Sequence, residues 1–260
     1  MPQNDLDKLI QKLDEIKLMG WIENRRHGNH GGVGNTLEDL LEVAENNLQL
    51  PDFGKWEIKS QRAETSSLLT LFHCEPKPRD LRFVPRIALL KYGWAHQEAG
   101  SLYSDNEMSF RQTINALTTS DRGFLVNVDR LNQKIFISFN ASKIAAHHNV
   151  WKKAVESRIG LNDLNPHPYW DFSDLAQKLT TKLKNTIFVQ AETKREISKE
   201  SYHYRHFEVY TGLDIENFIS LIEEGQIYVD FDARTGHNHG TKFRIRSSAK
   251  YRLYSRQIEV

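Results

Sequence analysis

The 260-residue sequence has a single cysteine, Cys74, which excludes an internal disulfide framework and a cysteine-rich zinc site. Long apolar runs are missing too: stretches such as "IALL" and "IFI" are far too short to cross a bilayer. The opening residues, MPQNDLDKLIQKLDEIK, are amphipathic and acidic, unlike a signal or transit peptide, so the cytoplasm is the expected compartment. No large charge excess exists either. With 35 Lys and Arg against 34 Asp and Glu the formal net charge is +1, and global electrostatics announce no nucleic-acid partner. What remains is an ordinary composition, 39% hydrophobic and 27% charged, in a chain long enough to bury a core as one large domain or as two lobes sharing a cleft.

Charge is biased locally. Between Lys242 and Arg256 stand Lys242, Arg244, Arg246, Lys250, Arg252 and Arg256 with no acidic residue among them, and Tyr251 and Tyr254 interleave. Such a block is often a solvated face, and it is also the footprint expected where phosphates are neutralised.

Leu6, Leu9, Ile10, Leu13 and Ile16 recur at helical spacing, which predicts an amphipathic helix over 5–18. The glycine-rich "HGNHGGVGNT" (27–36) lacks the Gly-Lys-Ser/Thr ending of a phosphate-binding P-loop. Asn35 or Thr36 is placed to cap a second helix, "LEDLLEVAENN", with Glu38 in its first turn. Strands are predicted at 55–61, "SLLTLFH" (67–73), "RIALLKYG", "GFLVNVD" and "KIFISFN", the last two spaced as a hairpin. Helices are expected at 141–159 and 173–184. The strands "TIFVQAETK" and "YHYRHFEVY", the helix "DIENFISLIEEG" and the strand "IYVDFDA" follow. The expected class is mixed α/β (α+β), with a mixed sheet flanked by helices, an N-terminal lobe over 1–145 and a C-terminal lobe over 146–260.

The stretch "LPDFGKWEIKSQR" (50–62) carries the most chemistry. On a strand, side chains two apart share a face about 6–7 Å from each other, so Glu57 and Lys59 point the same way beside Asp52 at the strand's mouth. Alone, Glu-x-Lys reads as the polar face of an edge strand. Asp52, Glu57 and Lys59 together form the PD-(D/E)xK pattern of metal-dependent nucleases. Hydrolysis of a phosphodiester needs a hard cation that polarises a non-bridging oxygen and acidifies the attacking water. Mg²⁺ takes oxygen ligands and keeps several waters, so Asp52 and Glu57 suffice as protein ligands, with the Ile58 carbonyl as a further oxygen. Lys59 would stand by the attacking water and the scissile phosphate.

As a short pattern this is weak, and its context strengthens it. "GGVGNTLEDLL" followed by "PDFGKWEIKS" resembles the MutH-like nucleases, in particular the MvaI/BcnI branch of restriction endonucleases, and "LLTLF" is similar as well. The resemblance returns in "LIEEGQIYVDFDARTGHNHGTKFRIR" (221–246). It implies a restriction-endonuclease-like core whose two lobes form a DNA cleft, a Mg²⁺ cofactor that Mn²⁺ can replace, and Glu38 as a further catalytic carboxylate. It also implies that the second segment reads base pairs in the major groove. Arg234 and Arg244 suit guanine edges, Asp232 a cytosine amino group, and His237 and His239 purine edges. The resemblance adds His73 as a candidate for a central base pair, while Lys242, Arg246, Lys250 and Arg252 would grip the DNA backbone. The implied enzyme is a type II restriction endonuclease, a monomer cutting double-stranded DNA at a short G·C-rich site of CCNGG type, with a DNA methyltransferase in the same cell.

Competing readings carry less. "HNH" at 237–239 is contiguous, unlike the dispersed residues of an HNH nuclease, and lacks the further ligands of a zinc site. His203 and His206 would fall on opposite faces of one strand, and His147 and His148 carry no spacing signal. Trp94, Trp151 and Trp170 read as core, Glu64 and Asp80 as solvated loop. A MutH-type mismatch-repair nicking enzyme accounts for the first block only, since it would be expected to read an adenine-containing site. A catalytically dead DNA-binding module has no use for Glu38, Asp52 and Glu57 beside an anionic backbone.

Overall fold

The structure is a computed structural model, and it describes residues 2–24, 32–43, 50–197 and 199–259. In chain order, α1 (Pro2–Leu18), β1 (Ile22–Glu23), α2 (Gly32–Leu40), β2 (Glu57–Arg62) and β3 (Leu69–His73) come first. A π-helical turn, Phe83–Ala88, runs into α3 (Leu89–Tyr92), and β4 (Trp94–Ala95), β5 (Met108–Ile114), β6 (Phe124–Asp129) and β7 (Lys134–Phe139) follow. Two short 3-10 turns precede α4 (Asn149–Ile159), β8 (Tyr169–Asp171) and α5 (Phe172–Lys182). The chain closes with β9 (Asn185–Glu196), β10 (Lys199–Leu213), α6 (Ile215–Glu223), β11 (Ile227–Arg234), β12 (His237–Ile245), a 3-10 stretch Ser247–Leu253 and β13 (Tyr254–Ile258). No helix among the described residues is long and apolar enough to cross a membrane.

Two compact units result, and neither matches a cut at 145/146. The first comprises Met1–Ser67, Ala176–Asn217 and Tyr251–Val260; the second comprises Leu68–Leu175 and Phe218–Lys250. Strand pairing gives the reason. β2 pairs in parallel with β9, and a parallel pair needs a long crossover, which here contains most of the second unit.

The sheet of the first unit runs β1-β10-β9-β2, with β13 also paired to β10. It is mixed, because β9 and β10 are antiparallel. Leu6, Leu9, Leu13 and Ile16 of α1 and Val33 and Leu37 of α2 bury against Ile58, Ile187, Val189, Tyr202 and Tyr204. α2 starts at Gly32, earlier than the expected cap, so Thr36 lies buried inside the helix. Residues 27–31 of the glycine-rich stretch and 44–47 of the expected helix lie outside the described residues.

A bulge in β10 overturns one expectation. The register against β9 shifts between Tyr204 and His206, so His203 faces Glu192 and His206 faces Gln190, two residues on one side of β9. The extra residue restores the parity that a regular strand would have broken. The two histidines therefore share a face, although they remain peripheral: His203 bonds the Lys17 carbonyl at 3.2 Å and His206 is exposed.

The second unit holds two antiparallel sheets, β3-β12-β11-β5-β4 and β6-β7-β8. The β6–β7 hairpin pairs Phe124 with Phe139, as its spacing predicts. "RIALLKYG", expected as a strand, is helical instead. Ala88, Leu89 and Tyr92 are buried while Leu90 is 62% exposed, a helical rather than an alternating pattern. Trp151 and Trp170 are core, donating to the Tyr92 and Cys74 carbonyls at 2.8 and 2.9 Å. Trp94 is half-buried beneath the Arg122 guanidinium, 3.9 Å from its ring centre.

Candidate functional site

In the first unit a tight turn delivers Asp52 to the start of β2. Phe53 and Trp56 exchange backbone hydrogen bonds of 2.9 and 2.8 Å around Gly54, whose φ of +57° is a conformation that glycine adopts without steric cost. The chain doubles back, and Asp52 Oδ2 accepts the Ile58 N–H at 2.9 Å.

β2 alternates. Ile58 enters the core beneath α1 and α2, and Glu57 and Lys59 take the opposite face. There Glu57 lies beside Thr186 and Lys59 beside Phe188 in the parallel register. Phe188, Tyr210 and Tyr254 pack ring to ring, and the Tyr254 hydroxyl donates to Thr186 Oγ1 at 2.8 Å. Glu57 is fully buried in this surround.

Two ammonium groups meet one carboxylate oxygen. Lys59 Nζ donates to Glu57 Oε1 at 2.5 Å, and Lys182 Nζ, from the last residue of α5, stands 3.5 Å from the same oxygen. Glu57 Oε2 is buried and has no hydrogen-bond partner among the described residues. Burial pushes the Glu57 carboxyl above its ordinary value and the Asp52 charge adds to this; Lys59 and Lys182 oppose it without cancelling it. An unpartnered buried carboxylate oxygen close to a second carboxylate is the donor set that a hard divalent cation satisfies.

Asp52, Glu57 and Lys59 thus converge as their spacing predicts. Glu38 is half-buried on α2, the helix that packs on β2. Lys182 escaped the sequence reading, because a lysine ending a helix far along the chain carries no local signal. Glu64 and Asp80 are exposed.

The second unit presents a separate polar surface. On β11, Phe231, Val229 and Ala233 point into the core, and Asp230, Asp232 and Arg234 take the other face. Their β5 neighbours are Thr113, Arg111 and Ser109. Lys242 of β12 lies opposite Asp230 and beside His73 of β3. Arg234 and His237 are paired across a two-residue turn, Thr235-Gly236, in which Gly236 has φ of +70°. β11 and β12 are therefore joined by a tight β-hairpin turn.

Charges on this face are matched. Arg234 donates to the buried Glu107 at 3.0 Å and stacks over Tyr103, 4.6 Å from its ring centre. Arg111 Nε is 3.0 Å from Asp232 Oδ1, a charge contact rather than an aligned hydrogen bond, and Lys242 is 3.5 Å from Oδ2. Arg244 donates to the Leu68 carbonyl at 2.8 Å and lies 3.5 Å from Asp230, which also accepts from Thr113 Oγ1 at 2.5 Å. His237 and His239 are exposed, with ring centres 4.3 Å apart. Partial desolvation lowers the His239 pKa, helped by His237, Lys242 and Arg111 against Asp232, which favours the neutral ring with one donor and one acceptor nitrogen. Arg111, Asp230 and Glu107 were missed, although the alternating "MSFRQTI" of β5 carried a legible strand pattern.

The basic block divides. Arg246 is exposed, donating to the Tyr228 hydroxyl, and Arg252 is exposed. Lys250 is only 8% exposed, so it is no surface cation; the 3-10 stretch Ser247–Leu253 turns it inward beside Ala249. Tyr254 is core as well.

His147 and His148, which showed no spacing signal, converge on Asp121 in the second unit. Their ligand atoms all lie within 4.8 Å of one another. His148 Nε2 already bonds Asp121 Oδ2 at 2.6 Å, and Arg122 stands 4.0 Å from that oxygen, so the carboxylate has a hydrogen-bond partner and a guanidinium counter-charge.

This fold is that of a restriction endonuclease, a site-specific DNA nuclease. The chain belongs to the MvaI/BcnI restriction endonuclease family, whose model matches residues 10–254. It is similar to restriction endonuclease MvaI in a complex with its cognate DNA substrate, with 27% identity, 96% of each chain covered and a TM-score of 0.78. A structure of MvaI in the absence of DNA matches with 26% identity over 98% of this chain and 96% of the other, at a TM-score of 0.53. No curated protein matches the sequence.

Proposed function

We propose that this chain is a type II restriction endonuclease of the MutH-like, PD-(D/E)xK kind, which cuts double-stranded DNA with Mg²⁺, or Mn²⁺ in its place, at a G·C-rich site of CCNGG type. The observation that carries the reading is the buried Glu57 carboxylate, with Oε2 unpartnered and Oε1 on Lys59. Asp52 and Glu57 would hold the cation, with the Ile58 carbonyl as a further oxygen. When bound, the cation polarises a non-bridging phosphate oxygen and acidifies the attacking water. Lys59 orients that water and offsets charge on the phosphate. Glu38 completes the catalytic cluster from α2.

The polar sheet face is the base-reading surface in this proposal, with Asp232, Arg234, His237, His239, Arg244 and His73 toward bases. Lys242, Arg246 and Arg252 meet phosphates, and Lys250 is set aside because it is buried. The solved complex of MvaI with its cognate DNA supports double-stranded DNA as the partner. The enzyme acts as a monomer that nicks one strand and then the other, because a site with an odd number of base pairs has no exact two-fold centre. It works in the cytoplasm beside a methyltransferase that protects the host's own sites. Digestion of a plasmid of known sequence with Mg²⁺, followed by end-sequencing, tests activity, site and cut position together. An intact plasmid, or breaks at unrelated sequences, would defeat the proposal.

A further inference from the structure

Lys182 is the charged group of the site that the reaction just described leaves unused. It ends α5, where Leu183 is fully buried and its N–H bonds the Leu179 carbonyl at 2.7 Å. Three residues on, Thr186 lies beside Glu57 in the parallel register and bonds back to the Leu183 carbonyl at 3.2 Å. The backbone that carries Lys182 is therefore tied to the strand next to Glu57, and its ammonium stands 3.5 Å from Oε1.

A helix-ending lysine often does no more than complement the carbonyls of the last turn. Here the neighbour is a fully buried carboxylate, and burying a charge costs free energy unless it is paired. Lys59 supplies that pairing at 2.5 Å, but the proposed reaction also requires Lys59 at the attacking water and the phosphate. The three N–H donors of Lys59 are then divided between Glu57, the water and the phosphate, so its charge neutralises Glu57 less fully during the reaction. Among the described residues, Lys182 is the second ammonium beside Glu57 Oε1 and compensates the charge that Lys59 shares out.

We propose that Lys182 is a positioning residue for cleavage: it holds Glu57 Oε1, which keeps Oε2 directed at the metal and releases Lys59 for the water. The inference rests on the metal-nuclease reading of Asp52 and Glu57.

The test uses the full chain with Lys182→Met and Lys182→Arg. Single-turnover cleavage of a cognate duplex is read beside Mn²⁺ affinity of the DNA-free protein, measured by electron paramagnetic resonance. Lys182→Met should slow cleavage by about 10–100-fold, the range for loss of an outer-sphere partner of a metal ligand, and weaken Mn²⁺ binding several-fold. Lys182→Arg, keeping the charge, should recover most of both. A lysine serving only the helix end would lower the melting temperature of Lys182→Met and leave Mn²⁺ affinity unchanged, which overturns the proposal. Tighter Mn²⁺ binding by Lys182→Met overturns it too, since Lys182 would then merely compete with the cation. Should Lys182→Met fail to fold, Lys182→Gln takes its place with the same two readouts and the same deciding outcomes, and a folded but inactive Lys182→Arg protein counts against the positioning role. Wild-type protein that neither binds Mn²⁺ nor cleaves fells the nuclease reading itself, whereas wild type that does both beside an indistinguishable Lys182→Met fells Lys182 alone.

Discussion

Asp52 and Ile58 are joined by a 2.9 Å hydrogen bond from the Ile58 N–H to the Asp52 carboxylate. A proposed metal ligand is thus tied to the backbone of the strand that carries the other one. Structure and chemistry are separable here by the choice of substituent. Asp52→Asn keeps an oxygen that accepts from Ile58, so its denaturant midpoint should stay near wild type. Asp52→Ala loses that bond and should unfold more easily, by about 1.5–3 kcal/mol for a backbone donor to a charged acceptor. Both should lose cleavage by at least about 1,000-fold, several kcal/mol of transition-state stabilisation. Asp52→Asn with near-normal cleavage would remove Asp52 from the metal site.

Glu57 should trade stability for activity. Its folded pKa lies above the unfolded value, so the folded state binds the proton more tightly. Stability from this group is complete below the unfolded pKa near 4.5 and falls as pH rises through the raised folded pKa. Glu57→Gln removes the ionisation and should melt higher than wild type at pH 8 in EDTA, with the gap closing toward pH 4.5. For a chain of this length each kcal/mol is worth about 2–4 °C. Cleavage should vanish in the same variant. A Glu57→Gln protein less stable than wild type at every pH would mean that the two lysines outweigh the burial.

Divalent cations should separate binding from cutting. EDTA should abolish cleavage, and Mg²⁺ or Mn²⁺ should restore it. Ca²⁺, larger and more loosely coordinated, should support specific binding with little cleavage. The measurement is a gel of nicked and linear plasmid in each ion. Full activity in EDTA would dismiss Asp52 and Glu57 as metal ligands.

How much of this was legible in advance depended on distance along the chain. The α1 stripe Leu6, Leu9, Leu13 and Ile16 and the alternation of Glu57, Ile58 and Lys59 are local patterns, and they fold as they read. Base-reading candidates from one short segment also meet on one sheet face, because a hairpin keeps near neighbours together. The bulge near Arg205, the partners Glu107 and Arg111, and Lys182 depend on strand register and on contacts between distant segments. Periodicity alone contains none of that. The same reason explains why residues 176–217 join the first unit rather than a C-terminal lobe.

Arginines on the polar sheet face and cations outside it should differ in how DNA feels their loss. Arg234 and Arg244 are held by Glu107, by Asp230 and by the Leu68 carbonyl, which orients each guanidinium before any base arrives. Preorganised forks of this kind are suited to bidentate contact with guanine. Arg234→Ala or Arg244→Ala should therefore cost about 1–3 kcal/mol of discrimination between cognate and scrambled duplexes. Arg244→Ala also leaves the buried Asp230 with one counter-charge fewer, so its folding stability must be measured alongside. Arg252→Ala should weaken both duplexes alike and flatten the logarithmic salt dependence by roughly one unit for the phosphate contact removed. Titrations of both duplexes at several salt concentrations suffice. If the two sheet arginines weaken cognate and scrambled DNA equally, they grip phosphates, and sequence is read by other side chains of that face, with Arg111 the first to substitute.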